Sequence, residues 1–465
     1  MLPRIIPSIL SVVFFFSFLF FVAALLLHRL DPDDLENQEV FHSAPYDVFV
    51  YSAFYYNTSK SLGDSSMVIL ATADFEVLEH VKQLELLVIN DTNRVMAVAE
   101  LERVTIHDAC KWIAMTATAE VVLNPSLLFI PFEVVSTDPL PVVMCISPLF
   151  AAENWQNLLV SLHVYKRFGA HAHLYIRSVV SPMFEILRVY EVEGYVTLKP
   201  WNRINLLNRD ERDFNPNLNV EFRSQAAAQT DCLLRYKFRF LAAENPTVAY
   251  FTYSKENTRT RAYKRANVFS IEHVLRSIQF EQATETGKMI AIPSKVNNTW
   301  IHWTHKSLKK LEVEASFNSI THLKHIDMLD GMGVDHERVP QYNPTTGADA
   351  EKPLISNKNI KMIEKDFNRM SWKSSIRRHL RSLPINMTYS KMISDCYKES
   401  YYTFHSANEN HGMLCPGPER CDISAHKTRC WNSVGEYHST RDGKLINIHF
   451  AENSDFALND DGCQV

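Results

Sequence analysis

Between Val142 and Leu198 short apolar runs alternate with helical periodicity, and this alternation restricts the fold more than any other feature of the chain. Val142-Val143-Met144-Cys145-Ile146 is an apolar run of the kind a strand shows when both its faces are covered. Ala152 to Phe168 then carries Trp155, Leu158, Leu159, Leu162 and Tyr165 on helical spacing, and Gly169 closes that helix. His173-Leu174-Tyr175-Ile176 predicts a second strand, Met183 to Tyr190 a second helix, and Tyr195-Val196-Thr197-Leu198 a third strand. Strands and helices in this order form a βαβαβ unit with a parallel sheet. Such sheets bind ligands at the carboxyl ends of their strands, and here those ends carry Ser147, Arg177-Ser178 and Lys199-Pro200-Trp201. Neither Gly-x-Gly-x-x-Gly nor Gly-x-x-x-x-Gly-Lys occurs, so the sequence supports no dinucleotide or P-loop site.

The flanks differ in character. Residues 45–137 are rich in β-branched and aromatic residues, as in Val48-Phe49-Val50-Tyr51 and Met67-Val68-Ile69-Leu70, with turn residues between the runs. They predict a small antiparallel β module with no visible chemistry. The α/β domain is expected over 138–330, with a further helix over Ser224 to Tyr236 opened by Ser224 as N-cap. Later strands are expected over Thr247 to Tyr253 and Met289 to Pro293. Residues 331–465 show few long periodic segments and hold a cysteine cluster.

At 465 residues the chain has room for two or three domains. Its 48 basic and 53 acidic residues give a net charge of −5 and no long basic run, which argues against a nucleic-acid partner. Ile5 to Leu27 is uncharged and long enough to cross a bilayer core of ~30 Å at 1.5 Å per residue. A type II signal anchor is therefore expected over 5–27, with a cytosolic tail at 1–4, a stem at 28–44 and the remainder lumenal. Asn57, Asn90, Asn297 and Asn386 are Asn-x-Ser/Thr acceptors downstream of it. Cys396, Cys415, Cys421, Cys430 and Cys463 crowd into the last seventy residues without Cys-x-x-Cys spacing, which disfavours zinc and fits disulfides in an oxidising compartment. Five is odd, so one is expected to pair with Cys110 or to stay free. Cys145 and Cys232 lie in apolar runs and are expected to be buried thiols.

Several blocks together carry a resemblance. Cys145-Ile-Ser-Pro-Leu-Phe, Glu153-Asn154-Trp155, Phe168-Gly169-Ala170-His171-Ala172-His173-Leu174-Tyr175 and Tyr195-Val196-Thr197-Leu198-Lys199-Pro200-Trp201 resemble glycosyltransferase family 92. So do Arg223-Ser224-Gln225-Ala226-Ala227-Ala228-Gln229-Thr230-Asp231-Cys232, Asn298-Thr299-Trp300-Ile301-His302 and Thr321-His322-Leu323-Lys324-His325. The likeness spans roughly residues 140 to 330, and the cysteine-rich tail looks like that of a nematode branch. It implies a GT-A fold and transfer of a hexose, galactose above all, from a nucleotide sugar such as UDP-galactose to a glycan acceptor. It also implies a membrane-anchored Golgi enzyme that uses Mn²⁺ or Mg²⁺.

Ser147, Glu153, Arg177, Arg223, Gln229 and Asp231 fall at the strand ends or within these blocks and are the candidate donor-binding residues. His322 fits a late histidine of the family's metal shell, and His322 and His325 have a spacing that suits one helical face. Asp231, on a helix, also suits a plain hydrogen-bonding role. The family places an acidic strand end just after the block that ends at Lys237. Here Lys237 runs into Phe238-Arg239-Phe240-Leu241, and no Asp-x-Asp occurs between Cys145 and Asp330. Carboxylate-bound metal offsets the charge that develops on a departing diphosphate. Two outcomes therefore stand: an enzyme whose acids come from elsewhere, with Asp210, Glu211 and Asp213 as the nearest patch, or a catalytically impaired relative that binds glycans or acts as a scaffold.

Overall fold

Alternating apolar residues in the first third of the chain build one wide sheet. The structure is a computed structural model that describes residues 45–465, apart from 91–93, 105–108, 123, 129, 136–141, 208, 213, 238–247, 305–308, 314–319, 331–354, 408, 410 and 465. The first strands are β1 (Tyr46–Tyr56), β2 (Ser66–Asp74), β3 (Gln83–Ile89), β4 (Arg94–Arg103), β5 (Trp112–Glu120), β6 (Leu127–Leu128) and β7 (Glu133–Val134). Val48 and Val50, Met67, Ile69 and Ala71, and Ile113, Met115 and Ala117 lie two residues apart on their strands. They therefore share one face, and they fill one core cluster.

The next segment is the predicted crossover unit: β8 (Val142–Leu149), α1 (Trp155–Arg167), β9 (Ala170–Ile176), β10 (Ser178–Val180), α2 (Ser181–Val192) and β11 (Val196–Pro200). Strands β8, β9 and β11 form a parallel sheet in the order β11-β9-β8, so all three carboxyl ends lie on one side. Helix α3 (Gln225–Arg235) follows, then β12 (Tyr250–Tyr263), α4 (Ile271–Arg276), β13 (Gln279–Ala291), β14 (Lys310–Val313) and β15 (Ile320–Leu329), whose strands form a third sheet around β12. Gly287 sits where β13 crosses Tyr253 of β12. A Cβ there would lie 1.6 Å from the Tyr253 carbonyl oxygen, so only glycine fits this approach.

The tail holds more regular structure than its sequence led us to expect. Helices α5 (Asn357–Ser371), α6 (Ser374–Leu380) and α7 (Thr388–Tyr397) precede a long hairpin, β16 (Cys430–Asp442) and β17 (Ile446–Asn459). Ile360, Ile363, Phe367 and Met370 share one face of α5 and are buried. On β17, Ile446, Ile448 and Phe450 alternate with Asn447 and His449 and join the core under β1. Strand β17 lies parallel to β1, with Tyr46 opposite Ile446 and Val50 opposite Phe450.

This pairing corrects the expected architecture. The first seven strands do not form a small module in front of a GT-A-like domain. Among the described residues they belong to a ten-stranded sheet in the order β10-β16-β17-β1-β2-β5-β4-β3-β6, with β7 beside β1, which takes strands from all three sequence regions. The fold is mixed α/β with several sheets. A strand with one apolar face and a free edge needs a partner, and sequence distance does not forbid one.

The membrane assignment is corrected as well. Among the described residues no helix is long and apolar enough to cross a membrane. The anchor expected at 5–27, the tail at 1–4 and the stem at 28–44 lie outside the described residues. The single-pass type II Golgi placement is withdrawn on that finding.

Four disulfides join all eight cysteines: Cys110–Cys415, Cys145–Cys232, Cys396–Cys421 and Cys430–Cys463. The odd tail cysteine is thus Cys415, paired with Cys110. Cys145 and Cys232 are not the thiols their apolar surroundings suggested. Helix α3 packs on β8 and brings them together across the sheet face.

Candidate functional site

The site is built where the parallel strands end. On β8, Cys145 and Ser147 are two apart and share a strand face. On α3, Gln229 and Cys232 are three apart and share a helix face. The two pairs meet: Cys232 is bonded to Cys145, and Gln229 Nε2 donates to Cys145 O and to Ser147 Oγ, each at 3.1 Å. Ser147 and Gln229, both expected at the site, are therefore brought into contact.

Arg177 follows β9 directly and is 5 % exposed. Its Nη2 donates to Glu419 Oε1 at 3.1 Å and to Asn217 Oδ1 at 3.4 Å. Glu419 also accepts from Arg203 Nε at 2.9 Å. Burial lowers the Arg177 pKa and Glu419 opposes it, so this guanidinium is already matched by a carboxylate of the tail.

Arg223 is placed differently. Phe222, Arg223 and Ser224 have φ of 36°, 68° and 59°, three consecutive non-glycine residues in the left-handed region. Each costs on the order of 1–3 kcal/mol, and such outliers persist only where their surroundings fix them. Here Trp201 Nε1 donates to Arg223 O at 3.1 Å, Ser224 N donates to Glu221 O at 2.7 Å, and the Phe222 ring lies edge-on to Tyr397 and Tyr401. The turn aims the Arg223 guanidinium over the Phe150 ring, 4.4 Å from its centroid. Its buried Nε has no hydrogen-bond partner. Burial lowers its pKa, and Tyr397, Tyr402 and Glu221 oppose this through space. Tyr397, pushed up to about 12 by burial, feels both Arg223 and Arg177. The two arginines therefore flank one tyrosine at the carboxyl side of the sheet.

The N-terminus of α3 is closed by Glu221 and not by Ser224, whose left-handed backbone leaves it without a side-chain cap bond. Glu221 Oε2 accepts from Ala226 N at 3.3 Å and Oε1 accepts from Trp300 Nε1 at 3.1 Å. A carboxylate suits a helix N-terminus. Burial nevertheless pushes Glu221 up to about 7, against the effect of these bonds.

The other expected residues stand elsewhere. Glu153 is 1 % exposed and accepts from Ser390 N at 2.8 Å, which ties the start of α1 to α7. Burial pushes it up to about 7. Asp231 points to the opposite side of α3 from Gln229. It accepts from Tyr175 Oη at 2.5 Å and from Arg235 Nε at 3.3 Å. Burial works to raise it, but Arg235 and Lys199 outweigh that and hold it low.

His322 is on a strand, β15, and not on a helix, so its spacing from His325 does not give a shared helical face. Its Nδ1 is 3.0 Å from Asn257 Oδ1. Asp210 binds Arg212 and Glu211 binds Arg203, while Asp213 lies outside the described residues. Among the described residues no three His, Cys, Asp or Glu side chains stand together as metal ligands.

Sequence reasoning missed Glu221, Phe150, Tyr397 and Glu419 as parts of this site. No glycine or asparagine marks the left-handed turn at Phe222-Arg223-Ser224, so the usual signal for such a backbone is missing. Lys237, at the end of the recognised block, was noted only as a boundary. Its buried Nζ donates to Pro293 O, Val296 O and Asn297 Oδ1 at 3.1, 2.7 and 2.9 Å. It therefore locks the end of α3 to the segment before Trp300.

Comparison with known proteins gives one consistent picture. The sequence model described as Glycosyltransferase family 92 matches residues 140–243 and 241–371. The Caenorhabditis elegans "Glycosyltransferase family 92 protein F13G3.3" is 78 % identical over 502 aligned positions that cover 100 % of both chains. Two further C. elegans proteins of the same description, C33H5.2 and F55C10.4, are 31 % and 29 % identical, over 86 % and 100 % of both chains. The alignment of 502 positions exceeds the 465 residues present by 37, so at least that many positions of the first alignment face no residue here. The two family stretches change over at residues 241–243, within a few residues of Lys237-Phe238.

Proposed function

The chain belongs to glycosyltransferase family 92, a membership that supports glycosyl transfer, and from that premise we propose that it moves a hexose, galactose first among the candidates, from UDP-sugar to a glycan acceptor. The observation that carries this reading is the left-handed turn that aims Arg223 at the carboxyl side of the parallel sheet. A half-buried guanidinium that has no carboxylate bonded to it among the described residues is an electrostatic receptor for phosphate oxygens, and it strengthens as charge develops on a departing diphosphate. Ser147 and Gln229 lie beside the same strand ends and offer a hydroxyl and an amide to the sugar or the ribose. Phe150 lies under the guanidinium, and Tyr397 packs against Phe150. Four disulfides support a place in the secretory pathway, where cysteines oxidise.

A second reading is favoured by the changeover of the family match at 241–243 and by the 37 positions without a counterpart. On this reading the acidic, metal-holding segment belongs between Lys237 and Phe238, and the chain without it keeps a donor-binding turn but transfers sugar slowly. Both readings share the donor site, so donor binding is the first test. UDP-galactose is titrated calorimetrically into the full chain and into Arg223→Gln. A loss of at least tenfold in affinity, about 1.4 kcal/mol, is expected. Equal affinity of the two proteins would remove Arg223 from the donor site.

A further inference from the structure

Residues 357–381 hold eight Lys and Arg against two acids, Glu364 and Asp366, in a chain whose net charge is −5. Helix α5 sorts these charges. At 3.6 residues per turn Lys358, Lys361, Met362, Lys365, Arg369 and the C-cap Trp372 fall on one stripe about 100° wide. All six are exposed, Trp372 at 71 %. Ile360, Ile363, Phe367 and Met370 take the opposite face and are buried.

Both acids turn away from the stripe. Glu364 accepts from Glu272 N at 2.8 Å, while Asp366 Oδ2 is 2.8 Å from His163 Nδ1 and accepts from Tyr195 Oη at 2.7 Å. Arg369 is matched by Asp366 and Glu193, and Lys373 is matched by Glu193. Lys358, Lys361 and Lys365 make no ion pair among the described residues. Arg377 of α6 lies over the Trp372 ring, 5.3 Å from its centroid, and Arg378 and Arg381 are exposed next to it in sequence.

This surface stands away from the donor turn. Arg167, the last residue of α1, donates to Asn359 Oδ1 of α5 at 2.8 Å, and Asp366 holds Tyr195, the residue before β11. The end of α1 and Tyr195 lead into the amino ends of β9 and β11, opposite the strand ends that carry Ser147 and Arg177.

Lysines three and four residues apart set a positive charge every ~4.5–6 Å along the helix axis, a row that matches a linear polyanion. The apolar face of α5 is packed in the core, so the stripe lacks the apolar surface that an interfacial helix lays into lipid. Four disulfides fit an oxidising compartment, where sulphated polysaccharides and not nucleic acids are the abundant polyanions. The Trp372 indole adds a flat apolar face beside the charges, which suits a pyranose ring. We propose that the α5–α6 surface docks a linear sulphated polysaccharide at a site separate from the donor turn. The proposal goes beyond the glycosyl-transfer reading and stands without it.

The test is calorimetry of the full chain with a heparin dodecasaccharide at about 0.15 M salt. Wild type is expected to bind it, and to bind unsulphated heparosan of the same length at least tenfold more weakly. Lys358→Glu/Lys361→Glu/Lys365→Glu is expected to bind heparin at least tenfold more weakly than wild type, and Trp372→Ala about threefold more weakly. Lys60→Glu/Lys427→Glu/Lys444→Glu changes the net charge equally at exposed lysines outside α5 and α6, and is expected to stay within about twofold of wild type. Since every substituted side chain is exposed, thermal unfolding of the variants is expected within about 2 °C of wild type. No heparin binding by wild type, equal losses in the two triple variants, or tighter binding to polyglutamate or to phosphatidylserine vesicles than to heparin would overturn the proposal.

Discussion

Removing the Cys145–Cys232 bridge is expected to loosen the whole molecule and to uncouple α3 from β8. The bridge closes a segment with a sequence separation of 87. None of the other three disulfides shortens that loop. Cys110–Cys415 encloses it from outside, and Cys396–Cys421 and Cys430–Cys463 lie wholly beyond it. The chain-entropy relation for a loop of this length gives roughly 4–5 kcal/mol of stabilisation. Unfolding entropy of ~2.1 cal/mol/K per residue over the compact unit Pro45–Val465 is roughly 0.9 kcal/mol/K, so the melting temperature should fall by about 5 °C. The perturbation is the double variant Cys145→Ala/Cys232→Ala, with calorimetry of the full chain under non-reducing conditions. Donor affinity should fall with it, because the bridge holds Gln229 against Ser147. A shift below about 1 °C, or quantitative alkylation of both cysteines in the unreduced wild type, would refute the reasoning.

Two further outcomes follow from buried polar groups. Glu153 has its pKa raised from 4.5 to about 7 by burial, so the folded protein holds a proton there that the unfolded chain gives up. Stability from this group therefore falls as pH rises from about 4.5 to 7, and Glu153→Gln, which keeps an acceptor for Ser390 N, should gain on wild type by about 3 kcal/mol across that window in denaturant titrations. A pH-independent difference would show that the Glu153 pKa is not raised. Asn57 and Asn386 are exposed, whereas Asn297 donates through Nδ2 to Ser61 O and accepts from Lys237 through Oδ1. Glycopeptide mass spectrometry of protein secreted from an animal cell should find glycan on the first two and not on Asn297; a glycosylated Asn297 would contradict that packing.

How much of this was legible depended on how local each signal is. The βαβαβ unit was legible because Trp155, Leu159 and Leu162 on α1 and the apolar runs of β8, β9 and β11 each fix their own element, and a parallel sheet is what such elements form. Helix α3 was found for the same reason, though its cap was misassigned, since Glu221 reaches Ala226 N from across a turn that no sequence rule marks. The tail carried readable signals in Ile446, Ile448 and Phe450 and in Ile360, Ile363 and Phe367. What no local pattern shows is their destination: β17 pairs with β1 from the opposite end of the described chain. At the site, Ser147 and Gln229 were legible as candidates. The matching of Arg177 by Glu419 was not, because it depends on a contact 242 residues away. Arg223 was named from its block alone, and no sequence signal marks the left-handed turn that sets its guanidinium over Phe150.

The most direct measurement compares two proteins in a UDP-galactose transfer assay onto an N-glycan acceptor, with and without Mn²⁺. One is the chain as it stands. In the other, an acidic strand segment of the family type is placed between Lys237 and Phe238. If the donor turn at Arg223 is intact and the metal-holding segment is what is lacking, the insertion should raise metal-dependent transfer by about 10²–10³, the scale of a lost electrostatic clamp, while changing UDP-galactose affinity far less. Equal metal-dependent turnover by both proteins would contradict this, and would mean that the acids serving the chemistry lie among the residues already present.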